Sequence, residues 1–304
     1  MSNVVAPGLR SATLAEERVE STRVARLGPG PFRLALNYGV LVVVTILFIS
    51  PILYMFIASF KPNDKVLAGL SGFVPQSPSF NNYADVFSRF NGVQTGTYGG
   101  FFVTSAIVSA VIVIGGLVIN STAAYALARL KWPGRDLVLL GVIALVILPF
   151  EAIAVPLFYM LNGIRNTYFV QFLPFIANPF SIYLFYTFFV GLPKSLEEAA
   201  RVDGAGPWRT FFYIMLPNAK PVFATVATLQ FLASWAAFLW PVMMVDNPQV
   251  RPLPLAISVF QSQPPILWGD IMAFGVMMVM PVLVVFLVFQ RWFIQSVVAS
   301  GVKG

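Results

Sequence analysis

The sequence predicts an all-α polytopic membrane protein with six transmembrane helices, and three observations lead there. The chain is 58% hydrophobic and only 10% charged, with a mean hydropathy of +0.80, a balance that excludes a soluble globular domain. Six apolar runs long enough to cross a bilayer fall at about residues 34–60, 101–127, 137–161, 168–190, 222–245 and 271–293. On alternate sides of these runs the Lys and Arg residues divide 14 against 5, and the richer side, which holds both ends of the chain, is the one expected in the cytoplasm.

Taken in order, residues 1–33 carry five Arg and three Glu, too long and too mixed a stretch for a cleaved signal peptide. They are expected to form a cytoplasmic tail, with helical character over 14–27, ahead of a membrane domain spanning residues 34–304. The first span should remain as an uncleaved anchor bent at Pro51. Residues 61–100 form the longest polar connection and carry Phe73, Phe80, Tyr83, Phe87 and Phe90, so they can hold a docking surface. In the second span Ser105, Ala106, Ser109, Ala110, Gly115 and Gly116 make a small-residue face for close helix packing. The third span is interrupted by Pro149 and Pro156 and contains Glu151, the one acidic side chain within any of the apolar runs. The fourth breaks its pattern at Asn178-Pro179, and the sixth carries Pro281.

Between the fourth and fifth spans lies a charged island, residues 193–221, holding seven of the chain's 31 Lys, Arg, Asp and Glu residues. Ser195 and Glu198 have capping-box spacing, Glu197 and Glu198 suit a helix N-terminus, and Gly204 and Gly206 stop that helix. Pro207 can then start a second, amphipathic helix through Trp208, Phe211, Phe212 and Met215, ending near Pro217.

The island's residues resemble the EAA loop in permease subunits of bacterial ABC importers: Glu198-Ala199-Ala200, Asp203-Gly204-Ala205, then Ile214, Leu216-Pro217 and Pro221, with nine residues between Gly204 and Ile214. The resemblance runs over residues 34–304 and is closest to the carbohydrate-uptake, maltose-permease-like branch. It includes Ala123-Ala124-Tyr125-Ala126-Leu127-Ala128-Arg129, Pro133-Gly134-Arg135, Asn166-Thr167-Tyr168, Ser234-Trp235, Phe238-Leu239-Trp240-Pro241 and Val302-Lys303-Gly304. The chain departs from it at Ala236 and Ala237, where many members have Asn and Glu.

This resemblance implies a type I ABC importer-like permease fold in a bacterial inner membrane, with both termini cytoplasmic and a coupling helix in the island. It implies that Glu197, Glu198, Ala199, Ala200, Asp203, Gly204 and Ala205 meet an ATPase subunit, with small Ala199 and Ala200 allowing close docking. The implied partners are a second permease, a different chain, two ATPase subunits and an extracytoplasmic solute-binding protein, together with the lipid bilayer and a carbohydrate substrate.

Other classes fit less well. None of the six lysines follows a glycine, so no P-loop is present; ATP and Mg belong on the ATPase subunits and no cofactor is expected on this chain. With no His, no Cys and no intramembrane acid pair, acid–base enzyme chemistry lacks its groups. The net charge of +7 is a topology signal and does not point to nucleic acid. The alternative is an ion-coupled secondary transporter of a small polar solute, a class that commonly places several charged groups in its spans, where this chain offers Glu151. For the pathway the candidates are Gln230, Ser234 and Ala237, which with Pro241 recur at helical spacing, together with Phe238 and Trp240. Glu151, fifteen residues beyond Asp136, would stand about 22 Å along a straight helix, toward an outer gate.

Overall fold

The computed structural model describes residues 30–67, 78–262 and 264–301. The expected helical tail over 14–27, Phe73 in the long connection, and the closing residues 302–304 lie outside the described residues. Two compact units part between Tyr54 and Met55. The described portion of the first is helix α1 (Pro31–Ala58) up to Tyr54; its apolar side chains, Leu47 and Phe48 among them, are exposed, and the helix continues through Pro51.

The second unit is built on α3 (Tyr98–Arg129), which follows a short helix α2 (Asn81–Arg89) and a two-stranded hairpin, β1 (Asn91–Gly92) and β2 (Gly96–Thr97). Thr97 caps α3 by accepting from Gly100 N at 3.0 Å, satisfying one of the orphan donors of its first turn. The connection before α3 is folded: Asn82 donates to the carbonyls of Ser59 and Lys61 at 2.8 and 2.7 Å. Beneath it Val86 and Phe90 pack with Phe101, Phe260 and Phe274.

The expected third span is two helices, α4 (Arg135–Ile147) and α5 (Phe150–Leu161), and the chain bends by 105° between them. Pro149 has no N–H to continue the ladder and forces Leu148 into extended backbone, with φ −73° and ψ 119°. Pro156, by contrast, is absorbed within α5. The fourth expected span is α6 (Tyr168–Ile176) and α7 (Pro179–Gly191), broken at Asn178 as the sequence indicates. Asn178 caps α7 by accepting from Ser181 N at 2.9 Å, with Pro179 in the first helical position, where its missing donor costs nothing.

In the island, α8 (Ser195–Val202) is followed by α9 (Pro207–Thr210), a π-helical turn (Phe211–Met215) and α10 (Leu216–Asn218). Then come α11 (Lys220–Trp235), α12 (Leu239–Met244), α13 (Leu253–Ser262) and α14 (Trp268–Gly301). The expected span at 222–245 is therefore divided at residues 236–238, and the sixteen residues of α11 rise only about 24 Å against a hydrocarbon layer of roughly 30 Å. Among the described residues four helices are long and apolar enough to cross a membrane, or five when the bent α4–α5 pair is taken as one, against the six expected from the sequence. The architecture is the multi-pass helical one, with α3 packed against α6, α7 and α11 at its centre.

Candidate functional site: an island and a cavity

The island's turn is a Schellman motif. Ala205 N donates to Ala200 O at 2.9 Å and Gly204 N to Arg201 O at 3.0 Å, with Gly204 at φ +74°, a conformation that favours a residue without Cβ. The expected capping box does not form. Lys194 is the N-cap residue, it makes no side-chain cap bond, and Ser195 already stands inside the first turn. Pro193 causes this, since the turn starts there, with Leu196 N donating to Pro193 O.

The seven coupling candidates divide by face. Glu197 and Ala200 are buried against their own chain, whereas Glu198, Ala199, Asp203 and Gly204 are exposed and Ala205 is half-buried. Ala200 thus serves close packing within the chain, and Ala199 is the small residue left on the outer face. Beyond the turn, Phe211 and Met215 are buried in a cluster with Tyr125, Phe185 and Phe189, while Trp208, Phe212 and Tyr213 remain exposed. Glu198, Ala199 and Val202 of α8, with Asp203 at its C-cap, thus form an exposed face.

The pathway candidates converge elsewhere. A partly open cavity of about 330 Å³ lies between α3, α5, α6, α7, α11 and α12, and Gln230, Ser234, Ala237, Phe238 and Trp240 all line it. They do so although helical spacing does not unite them, because α11 ends at Trp235 and Ala237 and Pro241 lie beyond the break. Gln230 donates to Ser181 Oγ at 3.3 Å. Its amide lies flat against Gly116, where a Cβ would stand 2.5 Å from Oε1, so the expected small-residue face of α3 makes room for this side chain. Trp240 is fixed by its Nε1 bond to Val170 O at 2.7 Å and by edge contacts from Phe150 and Phe175.

Glu151 is exposed in the first turn of α5 and is not among the residues lining the cavity, although its neighbour Phe150 is. The 105° bend removes the straight helix on which its height was reckoned. Sequence reasoning missed Gln171, Asn178 and Ser181. Gln171 donates to Val250 O at 2.8 Å and to Thr167 O at 3.4 Å, which orients its amide and leaves Oε1, buried, with no donor among the described residues. A polar residue inside an apolar run was the available signal. Asn120 braces the α6–α7 break, accepting from Asn178 N at 2.9 Å and donating to Ile176 O at 3.1 Å. No Asp, Glu, Lys or Arg lines the cavity among the described residues.

The chain thus combines a multi-pass helical architecture, a cavity lined mainly by apolar side chains with a few polar groups, and a folded polar island. Residues 116–299 match the family described as the binding-protein-dependent transport system inner membrane component, and the chain belongs to that family. It is a permease of the ABC importer type. It is 34% identical over 260 residues to the arabinooligosaccharides transport system permease protein AraQ of Halalkalibacterium halodurans, covering 84% of this chain and 91% of that one. It is also 34% identical to the diacetylchitobiose uptake system permease protein NgcG of Streptomyces coelicolor, covering 86% and 87%. Among solved structures it resembles a chain of a bacterial ABC transporter involved in the import of the acidic polysaccharide alginate, with a TM-score of 0.76, 22% identity and coverage of 85% and 95%, a likeness of fold.

Proposed function

We propose that this chain forms half of the membrane pathway of an ATP-driven importer for a carbohydrate, a mono-, di- or oligosaccharide, handed over by an extracytoplasmic binding protein. The observation that carries the proposal is the convergence of Gln230, Ser234, Ala237, Phe238 and Trp240 on one cavity. Its lining suits an uncharged, hydroxyl-rich solute. Aromatic rings offer faces to stack against sugar rings, and the buried Oε1 atoms of Gln171 and Gln230, without donors among the described residues, suit solute hydroxyls. That no Asp, Glu, Lys or Arg lines the cavity among the described residues weighs against ion-coupled transport, and the relatives named for oligosaccharide uptake support the sugar reading.

The exposed α8 face of Glu198, Ala199, Val202 and Asp203 is the contact for an ATPase subunit, which puts the island and both termini in the cytoplasm. ATP and Mg are held by two such subunits, and a second permease, a different chain, completes the pathway. Residues 61–100 and 246–270 meet the binding protein on the outer side. Transport then follows from the different affinity of the closed and open ATPase pair for the two states of the membrane domain.

Cysteine labelling tests the pathway, and the native chain contains no cysteine to confuse it. In the assembled transporter, Gln230→Cys, Ser234→Cys and Ala237→Cys should react with a water-borne maleimide in one state, react more slowly in the other, and be protected by the transported sugar. Equal protection of all three in both states would leave helix packing as their role.

A further inference from the structure

Three helix ends meet at one side chain. Arg129, the last residue of α3, donates through Nη2 to the carbonyl of Phe189 and, at 2.6 Å, to that of Leu192, the orphan acceptors at the C-terminal end of α7. Its Nε lies 3.6 Å from Glu197 Oε1 in the first turn of α8, and the two side chains are only 5% and 12% exposed. One turn earlier on α3, Tyr125 OH donates to Pro207 O, the first residue of α9, at 3.2 Å. A cation at a helix C-terminus and an anion in the first turn of the next helix each sit at the favourable dipole end; Nη2 bonds both carbonyls, while Nε and the Glu197 carboxylate form a close ion pair without a hydrogen bond among the described residues.

The same two helices that Arg129 joins also wall the cavity. Ser105, Val108 and Ile112 of α3 and Phe180 and Ser181 of α7 line it, and Gly116 of α3 backs Gln230. We infer that Arg129 is a positioning residue: with Glu197 it fastens the island to α3 and α7 so that a displacement of α8 moves the cavity walls. This rests on the reading of the island as the ATPase contact, and it assigns Glu197 to transmission within the chain rather than to that contact. A lysine could not serve equally, because one ammonium on a flexible stem lacks the rigid planar group that bonds both carbonyls at one nitrogen while holding another beside the carboxylate.

The experiment uses the whole transporter reconstituted in lipid, with Ala237→Cys as the reporter and its maleimide reaction rate measured with and without Mg-ATP. The unsubstituted tie should give an ATP-dependent rate change of at least about fivefold, the lower end of ordinary coupling between sites. In Arg129→Gln the change should be lost while ATPase subunits still co-purify and still hydrolyse ATP; Arg129→Lys should restore it in part. Glu197→Gln, which leaves the carbonyl bonds intact, should reduce the change without affecting assembly, and it decides the matter if Arg129→Gln fails to assemble. A full ATP response in Arg129→Gln, or in Glu197→Gln where the former does not assemble, overturns the inference. Failure of the unsubstituted chain to bind the ATPase subunits would instead defeat the reading of the island.

Discussion

The island and the cavity were assembled in opposite ways. In the island, function-bearing geometry comes from neighbours in the chain: Pro193 starts a turn, Gly204 at φ +74° ends it, and Pro207 starts the next helix, all within fifteen residues. In the cavity, nothing local suffices. Gly116, Gln171, Ser181, Gln230 and Trp240 come from five helices and are held by bonds that cross long stretches of sequence. The difference teaches that the island should tolerate changes in the membrane core, while the cavity should be sensitive to single atoms on distant helices.

The largest effect that would break this comparison comes from Gly204→Pro. Proline cannot adopt φ near +74° and has no N–H for Arg201 O, so the Schellman turn is lost. Co-purification of the ATPase subunits and transport should both fall to background while the chain still inserts into membranes; full recovery of the complex would show that the turn is not the contact.

Gly116→Leu is expected to be next in size. Even a Cβ would stand 2.5 Å from the Gln230 amide, so the larger side chain must displace it and break the bond to Ser181. Overpacking of this kind costs about 1–3 kcal/mol, seen as a lowered unfolding temperature of the purified complex, with labelling of a cysteine at 237 altered. ATPase co-purification should be unchanged, and an equal loss there would mean that island and cavity are not separable. The smallest effect is that of Asn178→Ala, which removes the cap of α7 and costs about 1 kcal/mol, measurable as a fall of a few degrees in the same unfolding temperature.

The contrast also explains how far the sequence could be read. The helical breaks at Pro149 and Asn178-Pro179, the stop at Gly204 and the small-residue face at Gly115 and Gly116 were legible, because proline, glycine and the absence of a side chain act on the nearest backbone. The capping box was not, since Pro193 shifted the helix start by a fraction of a turn and left Ser195 with nothing to cap. Glu151 drew attention as a lone acid, yet its position depended on a helix that bends by 105°. Gln171 was overlooked because its partner, Val250 O, lies 79 residues away.

By itself, then, the sequence determined the membrane environment, the helical class, the island's turn and the list of polar residues available to a pathway. Each of these follows from transfer free energies or local backbone sterics, which act over a few residues. Tertiary structure alone decided which of those residues meet. It brought Ala237 and Pro241 to the cavity despite the end of α11 at Trp235, turned Glu197 toward Arg129 and Glu198 away from it, and left Glu151 outside. The physical reason is that a hydrogen bond or ion pair between helices depends on how their axes cross; prolines fix where a helix breaks, but the crossing angles come from packing between segments far apart in sequence.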